Sequence, residues 1–289
     1  MRPTVIDSSA GVVLLNKAPG VTSFQALYPV KRLYGKTVGH TGTLDKFAEG
    51  LLVVLVGKFT KFNPVFTSFD KVYEADFTFG SETSTLDPEG EVVFSGGQPD
   101  DSVPGHALKW LGPQMQVPPE YSAIHVDGRR ASDRVRDGQE VVLAARPIVV
   151  HTLEVVCWNN PVLTVKIHCS KGTYVRSIAR DWGRVSGFGA HVTRLRRWSV
   201  GPFELPRETM EFKDAAWTLD KLAIPLVQVP FGNQEAILNG REPSGFVPSL
   251  TSQDGERAGL VGEDGRICAV VEKLDGRWHY LFVDRGAED

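Results

Sequence analysis

The segment GHTGTLDKFAEGLLVVLVG, residues 39–57, joins a glycine-rich polar stretch to an uninterrupted apolar run. The apolar part, residues 51–57, contains several valines, which is typical of a strand buried on both faces. In the polar part, closely spaced glycines allow backbone conformations that other residues rarely adopt. Asp45 has two interpretations from this segment alone: it caps a short helix over residues 46–50, or it is a carboxylate held ready for chemistry. Taken by itself, the segment narrowly favours the cap.

On both sides of this segment, strand and helix patterns are mixed without a regular strand–helix–strand repeat. Residues 11–16 predict a short apolar strand, and residues 71–80 alternate so that aromatic side chains share one face of a half-buried strand. Residues 163–187 indicate a strand, a tight glycine turn and a helix. This mixture predicts an α+β fold with a large mixed sheet.

Shorter segments carry further predictions. A helix is expected from Thr22 or Ser23 to Leu33, interrupted or restarted at Pro29. Residues 81–97 are rich in turn formers and predict a surface excursion. The remaining segments predict a helix at residues 106–112, a strand at residues 121–126 and a polar helix after it.

Length and composition limit the class of protein. The chain has 289 residues, 42% of them hydrophobic, which is enough for one large domain and a small one. After about residue 222, a proline-rich stretch precedes three short strands separated by turns. We therefore expect a large domain over residues 1–222 and a small β module over residues 223–289. No apolar run reaches the roughly 18 residues of a membrane helix, so no membrane contact is expected.

The three cysteines, Cys157, Cys169 and Cys268, form no Cys-x-x-Cys pair. We expect neither disulfides nor a zinc site, and a reducing cytoplasm is the expected location. No nucleotide-binding glycine motif and no cluster of metal ligands is evident in the sequence. No cofactor and no metal are therefore expected.

Positive charge is concentrated in one segment. The formal net charge of the chain is −3, yet residues 166–197 contain eight basic residues and one acidic residue. A local basic block in an otherwise acidic chain is a candidate for binding a polyanion, whereas a solvated helix face is the simpler alternative.

Five motifs follow one another along the chain: GHTGTLD, KVYEADFTFG, VPPEYSAIHVDGRR, CSKGTYVRSIARDWG and HVTRLRRWSVGPF. In this order they resemble the TruB family of tRNA pseudouridine synthases, in its bacterial stand-alone form, over about residues 11–203. The C-terminal module is similar to that family's small PUA-like domain, on weaker motifs. The resemblance implies the pseudouridine synthase fold, with a mainly antiparallel sheet, a central catalytic cleft and an RNA-binding insertion at about residues 120–145.

The resemblance also implies a reaction and a partner. The uridine at position 55 in the T-arm of tRNA is flipped out, its N-glycosidic bond is broken, and C5 of uracil is joined to C1′. The aspartate carboxylate attacks either C1′ or C6, or a glycal intermediate forms, and the sequence does not distinguish these routes; no metal, nucleotide or redox cofactor is needed. The T-arm stem-loop is then the expected partner, no protein partner is required, and the chain is expected to be a monomer.

On this resemblance, the expected catalytic residues are Asp45, Tyr73 and Arg176. Arg176 pairs with the carboxylate and keeps it ionised, and Tyr73 stacks on the flipped base. The expected substrate-binding residues are His40, Tyr174, Leu195, Lys17, Lys171 and Arg197, with the two lysines and Arg197 as phosphate contacts.

The sequence departs from the family pattern in four places, one of which is Pro29 within the first helix. Lys46 stands where proline is usual, Phe-Ala-Glu-Gly at residues 47–50 replaces Leu-Ala-Thr-Gly, and Ile124 and His125 replace Leu-Lys. If residues 45–49 were helical, Glu49 would lie one turn from Asp45 and raise the pKa of its carboxyl group. Two other functions stay open: a protein that binds and remodels tRNA without chemistry, and an enzyme whose main target is another RNA or that works in a guide-RNA complex.

Overall fold

A large sheet and a smaller sheet are the main elements of the computed structural model, which describes residues 10–126, 128–230, 232–243 and 254–284. The strands before residue 215 are β1 (Gly11–Lys17), β2 (Val38–His40), β3 (Glu49–Val56), β4 (Lys71–Phe79), β5 (Ser81–Thr83), β6 (Val92–Ser95), β7 (Gly112–Gln116), β8 (His125–Val126), β9 (Arg129–Arg130), β10 (Arg146–Asn159), β11 (Val162–Cys169), β12 (Ala190–Val200), β13 (Phe203–Glu204) and β14 (Met210–Asp214). The helices up to residue 221 are α1 (Ser23–Ala26), α2 (Tyr28–Tyr34), α3 (Asn63–Thr67), α4 (Ala131–Arg136), α5 (Val175–Ser186) and α6 (Ala215–Lys221), with 3-10 helices at Gly57–Phe62 and Val103–Trp110. The C-terminal part contains β15 (Leu226–Gln228), α7 (Gln234–Leu238), β16 (Arg257–Val261), β17 (Ile267–Leu274) and β18 (Arg277–Val283).

Within the described residues the large sheet has ten strands, in the order β14-β1-β3-β12-β4-β11-β10-β7, with β2 beside β3 and β13 beside β12. The paired strands are antiparallel except β3 and β12, which run parallel and pair at Glu49 with Arg196 and at Gly50 with Arg197. β12 therefore joins two antiparallel halves of the sheet. This architecture confirms the predicted α+β fold with a large mixed, mainly antiparallel sheet.

The central strands explain where a site can form. Alternate residues of β3 enter two hydrophobic clusters, one on each face, as the apolar run predicted. Along β4, Tyr73 and the aromatic residues after it face a third cluster, which α5 covers with Ile178 and Trp182. The strand register places Gly50, Arg197 and Tyr73 side by side across β3, β12 and β4. The loop before β3 is thereby brought next to Tyr73.

The predicted first helix is divided into two. The side chain of Thr22 caps α1 and forms a capping box with Gln25. Pro29 lies in the first turn of α2, where its missing N–H is not needed, so the helix restarts there as expected.

Two local predictions, the helix at residues 106–112 and the strand at residues 121–126, were right only in part. Residues 103–110 form a 3-10 helix, and the chain is already extended at Gly112, where β7 begins. In the predicted strand 121–126, the regular pairing is confined to His125–Val126 with Arg129–Arg130. The residues before this short hairpin bend towards α5 instead, because their backbone groups bind side chains of that helix, as described below.

The small sheet packs against the large one. It has the order β15-β16-β17-β18, so the three predicted strands are present and β15 adds a fourth. Phe282 of β18 lies against Phe59 and Phe62, with ring centroids 5.5 and 5.6 Å away. The predicted domain boundary after residue 222 stays a prediction. Among the described residues, no helix combines the length and the apolar character needed to cross a membrane.

Candidate active site

Residues 41–48 form an irregular loop between β2 and β3, so the interpretation of Asp45 as a helix cap is wrong. The amide of Ala48 bonds to the carbonyl oxygen of Asp45 at 3.1 Å in a single turn, and β3 begins immediately afterwards. A helix cannot continue there because Glu49 and Gly50 already pair with β12.

This loop is fixed on two sides. Oγ of Ser23, at the start of α1, donates to the carbonyl oxygen of Leu44 and accepts from its amide, each at 2.9 Å. From β12, Nη2 of Arg197 donates to the carbonyl oxygen of Gly42 at 3.0 Å. The backbone that carries Asp45 is therefore held in place before any substrate binds.

Asp45 and Arg176 form a bidentate ion pair. Nε of Arg176 lies 2.9 Å from one carboxylate oxygen, and Nη2 donates to the other at 3.0 Å. The Arg176 side chain is 5% exposed, whereas that of Asp45 is 34% exposed. The guanidinium therefore orients the carboxylate from behind and leaves part of it accessible.

A second carboxylate, which sequence analysis missed, binds the same guanidinium. Nη1 of Arg176 lies 3.4 Å from Oδ2 of the buried Asp87. The same nitrogen donates to the carbonyl oxygen of Thr85 at 2.8 Å, and Nη2 donates to the carbonyl oxygen of Tyr121 at 3.0 Å. Asp87 is held by the hydroxyl of Thr85 and the amide of Glu89. The prediction that residues 81–97 are a surface excursion was therefore wrong for the turn that contains Asp87. The available signal for this buried turn was an aspartate followed by Pro-x-Gly.

Opposing effects act on the pKa of the Asp45 carboxyl group. Burial raises the pKa of its carboxyl group above the usual range, Arg176 opposes that increase, and the charge of Asp87 adds to it. The raised pKa makes the carboxylate a stronger base than a solvated one, and Arg176 favours its ionised form.

Two tyrosines and a leucine lie near this pair. Tyr73 is 9% exposed, and burial raises the pKa of its phenol, so the hydroxyl is neutral at neutral pH. Tyr174 immediately precedes α5, and the side-chain amide of Gln116 binds both its N–H and its carbonyl oxygen, at 2.8 and 3.1 Å. Because α5 begins at Val175, Arg176 lies in the first turn of the helix that follows Tyr174. Leu195 reaches the same region from β12.

His40 ends β2 and has an unusual environment. Its Nδ1 is buried without a hydrogen-bond partner in this structure. Burial lowers the pKa of the imidazole, and the nearby Arg197 lowers it further. The ring is therefore neutral at neutral pH and offers shape and hydrogen bonds rather than charge.

These residues share one cavity of about 770 Å³. Of the residues that sequence analysis singled out, the cavity is lined by His40, Asp45, Lys46, Tyr73, Tyr174, Arg176, Leu195 and Arg197. The roles expected of these residues stay predictions.

The three residues predicted to contact phosphates differ in burial and in their hydrogen bonds. Lys17 is 1% exposed and donates to the carbonyl oxygens of Ala18 and Val21 at 3.1 and 2.7 Å, and burial lowers its pKa to about 8. Lys17 does not line the cavity, so its prediction as a phosphate contact was wrong: the ammonium closes the turn after β1. Arg197 is also buried, with Nε donating to the carbonyl oxygen of Leu51 at 2.8 Å. Lys171 is exposed beside the cavity-lining Ser170 and Gly172.

The basic block at residues 166–197 is not a free cationic surface. All eight of its basic residues are described, and six of them are buried or paired with acceptors of the protein itself: Arg176, Arg180, Arg184, Arg194, Arg196 and Arg197. Two arginines of β12, Arg194 and Arg196, pair with carboxylates on neighbouring strands; Arg194 donates to Glu74 at 2.9 Å. The prediction of a local polyanion surface therefore holds at most for the exposed Lys166 and Lys171.

Of the residues that depart from the family pattern, Lys46 lines the cavity beside Asp45, whereas Glu49 does not. Glu49 starts β3 and faces Arg194 and Arg196 at 3.7 and 3.9 Å, so the helical neighbour of Asp45 envisaged from sequence is absent. Nζ of Lys46 lies 3.2 Å from a carboxylate oxygen of Glu89, and both side chains are about half exposed.

Two solved structures share the fold of this chain. A crystal structure of a Cbf5-Nop10-Gar1 complex matches with a TM-score of 0.65 at 20% identity, over 93% of this chain and 80% of the other. A structure of an H/ACA RNP bound to a substrate RNA containing 2′-deoxyuridine matches with a TM-score of 0.61 at 18% identity, over 91% and 77%. The fold is that of pseudouridine synthases.

Sequence comparison gives the family. A model described as TruB family pseudouridylate synthase (N terminal domain) matches residues 31–175, and one described as tRNA pseudouridylate synthase B C-terminal domain matches residues 176–226. The tRNA pseudouridine synthase B of Borreliella burgdorferi (strain ZS7) is 42% identical over 209 residues, covering 69% of this chain and 73% of its own length. That of Corynebacterium efficiens is 35% identical over 283 residues, covering 91% and 95%. The chain belongs to the TruB family and is an isomerase that converts uridine to pseudouridine in tRNA.

Proposed function

We propose that this enzyme acts on uridine 55 in the T-arm of tRNA, which is flipped into the cavity lined by Asp45. The observation that carries the proposal is the bidentate Asp45–Arg176 pair, partly open to a cavity of about 770 Å³. Such a volume is sufficient for a nucleoside. A uridine within a stacked loop cannot reach a recessed carboxylate, so the nucleotide must leave its stack.

Asp45 is the nucleophile in this proposal. Attack at C1′ displaces uracil directly, whereas attack at C6 holds the base while the glycosidic bond breaks; both routes use the same carboxylate. Uracil then turns, C5 bonds to C1′, the carboxylate leaves, the proton from C5 is lost and N1 gains one. Substrate and product are isomers, so no oxidant, reductant or group donor is consumed, and we propose that no cofactor takes part.

The surrounding residues take supporting parts. Tyr73 stacks on the flipped base and, as a neutral phenol, is placed to exchange a proton with the sugar. Tyr174 and Leu195 form the apolar wall that excludes water. His40 fills the space that the uridine leaves in the RNA loop. Arg197 supports the loop that carries Asp45 in addition to lining the cavity.

We further propose that the RNA backbone follows the insertion at residues 120–145 and reaches Lys171. Arg130 and Arg136 of this insertion line the cavity together with Ser132. RNA loops are bound mainly through shape and stacking, with phosphate contacts that position them. We also propose that the enzyme acts as a monomer and requires no protein partner.

The decisive experiment replaces Asp45 with asparagine, which keeps the shape of the side chain and removes the nucleophile. On a tRNA transcript labelled with tritium at C5 of uridine, release of tritium to water follows the new C–C bond. Asp45→Asn is expected to lower this rate by at least about 1000-fold, with tRNA affinity nearly unchanged. Asp220→Asn, on the exposed surface of α6, is the matched control.

Two results would end the proposal. Near-wild-type release from the Asp45→Asn variant would remove the proposed nucleophile. Undiminished release from a transcript in which uridine 55 is replaced by cytidine would place the target elsewhere. Turnover by the purified wild-type chain alone also separates the enzyme from a protein that binds tRNA without chemistry or needs a guide RNA.

A further inference from the structure

Outside the cavity, three side chains of metal-ligand type converge at one end of the large sheet. Nε2 of His151 lies 3.1 Å from Oδ2 of Asp70, and Nε2 of His168 lies 3.9 Å from the same oxygen. One ligand atom from each residue lies within 4.8 Å of the others. The residues that line the cavity include none of these three, so the cluster is separate from the uridine site.

The sheet itself produces this arrangement. The register of β10 with β11 shifts between Val150 and Thr152, which leaves His151 as the extra residue of a β-bulge. A bulge re-aims a side chain that a regular pleat would direct elsewhere. Here the ring of His151 lies 4.7 Å, centroid to centroid, from that of His168 on β11. Asp70 is the residue before β4, the other neighbour of β11.

The distances suit one small cation. Zinc bonds to imidazole and carboxylate ligands are about 2.0–2.2 Å, so a tetrahedral site separates its donor atoms by roughly 3.3–3.5 Å. The separations of 3.1 and 3.9 Å bracket that range. Two imidazoles and one carboxylate are the donors that borderline divalent ions prefer, whereas magnesium selects six oxygen ligands.

We propose that Asp70, His151 and His168 bind one divalent transition ion, with water completing its coordination. Sequence analysis expected no metal, because these ligands are distant along the chain and show no motif. The ion joins the ends of β4, β10 and β11. Its expected effect is to stabilise the end of the sheet from which Lys71 and Ser170 reach the cavity. A ligand that binds the folded state alone raises the melting temperature.

The alternative is a hydrogen-bonded cluster in which both imidazoles donate Nε2–H to Asp70. It requires no ion, and it predicts that Zn²⁺ neither binds stoichiometrically nor raises the melting temperature. The two arrangements therefore differ in a direct binding measurement.

The test uses the full chain with Cys157→Ser, since the Cys157 thiol is exposed and could itself bind zinc. After removal of metals with a chelator, Zn²⁺ is titrated by calorimetry, and Co²⁺ is titrated by its visible d–d absorption. One equivalent is expected to bind. His151→Ala and His168→Ala should each weaken binding by at least about tenfold, since even loss of a residue behind a ligand typically costs 10–100-fold. His279→Ala, an exposed histidine on β18, should bind as the parent does.

If a histidine variant folds poorly, Asp70→Asn replaces it in the test, because it keeps the shape of the third ligand. This variant should also weaken Zn²⁺ binding by at least about tenfold. Unchanged melting temperatures in chelator would show that the variants keep their fold. The proposal is overturned if the parent binds no equivalent of Zn²⁺ or Co²⁺, or if the double histidine variant binds as tightly as the parent.

Discussion

Arg176 has the most demanding environment of the side chains at the candidate site. It donates to the carboxylate of Asp45 and to the carbonyl oxygens of Thr85 and Tyr121, and it also faces Asp87. These acceptors come from three separate loops that meet at the first turn of α5. A planar guanidinium satisfies them with a fixed fork of donors, which the compact ammonium of lysine cannot reproduce.

Arg176→Lys is expected to lower turnover and to move the acidic limb of the pH–rate profile to higher pH. Burial already raises the pKa of Asp45, and Arg176 is the largest opposing influence. With weaker opposition the pKa rises further, so the ionised carboxylate appears only at higher pH. Loss of one charge-assisted hydrogen bond of about 1.5–3 kcal/mol corresponds to about a 10- to 100-fold lower rate at neutral pH. The measurement is kcat against pH at saturating tRNA.

Arg184→Lys is the matched control for this change. Arg184 lies on the same helix and pairs with a carboxylate of Glu82, but it does not line the cavity. Its variant should keep the wild-type pH profile. An acidic limb that stays in place in Arg176→Lys as well would show that Asp45 does not set the pH dependence.

For single residues, what the sequence could predict depended on whether the residue belongs to a recognisable local motif. Asp45 and Arg176 each belong to one, so both could be named although they are 131 positions apart. Asp87 could not, because it lies in a turn-rich stretch that usually predicts a surface loop. Lys17 was misread because a lysine in sequence carries no sign of its burial, which here depends on three carbonyl groups around it.

Among the secondary-structure elements, the start of β3 has the tightest constraint. Gly50 has a φ of +101°, and a Cβ atom built there would lie 2.4 Å from the carbonyl oxygen of Arg197 on β12. Both the backbone conformation and the contact with neighbouring backbone exclude a side chain. The parallel pairing of β3 with β12 therefore depends on glycine.

Gly50→Ala is expected to reduce the free energy of unfolding by roughly 2–4 kcal/mol, because backbone strain and a clash with immovable backbone add together. Thermal or urea unfolding followed by circular dichroism measures the change. Gly39→Ala is the matched control in the same stretch, since a Cβ there meets nothing within 4 Å and φ is not positive. Equal stability of the two variants would contradict this account of the β3–β12 contact.

Elements with a strong internal pattern were predicted well, and those defined by distant contacts were not. β3 and β4 followed from their apolar run and alternation, and α5 from the glycine turn before it. The cap at Asp45 failed because pairing with β12 at Glu49 and Gly50 overrides the local helix signal. The strand expected at residues 121–126 was shortened for the same kind of reason, since the carbonyl oxygen of Tyr121 binds Arg176.

For the whole molecule, the distribution of charge changes the expected mode of RNA binding. Most of the basic block at residues 166–197 neutralises the protein's own carboxylates, so eight free cations are not available to the RNA. The salt dependence of tRNA binding should accordingly be much weaker than eight phosphate contacts would give. The cations expected to contact the RNA are therefore the exposed ones next to the cavity.

Lys171→Gln should therefore weaken tRNA binding and reduce the slope of log K against log salt by about 0.7–0.9, the value for one phosphate contact. Lys166→Gln is the control, because Lys166 is equally exposed but its cross-strand neighbours are Glu74 and Glu154. Filter binding between low and moderate salt measures both slopes. A slope that falls equally in the two variants would indicate a diffuse charge effect instead of a contact at Lys171.

We propose that residues 1–222 form the catalytic domain and residues 223–289 a PUA-like domain that is stabilised against it. The proposed joint is Phe282, which is 3% exposed between Phe59 and Phe62. Phe282→Ala should cost about 3–5 kcal/mol of stability, whereas Leu274→Ala, at an exposed position on the same sheet, should cost little. Differential scanning calorimetry would show this, and an unchanged transition in Phe282→Ala would mean that the rings do not couple the sheets.

The wide sequence separation of the cavity residues has a consequence for synthesis. Asp45 and Arg176 are 131 positions apart, and Leu195 and Arg197 complete the same wall. At about 5–20 residues per second, a ribosome needs about 10–40 s to reach them. During that interval the aspartate of the growing chain has neither its guanidinium nor its pocket. A nascent chain therefore has no complete site until β12 has been synthesised.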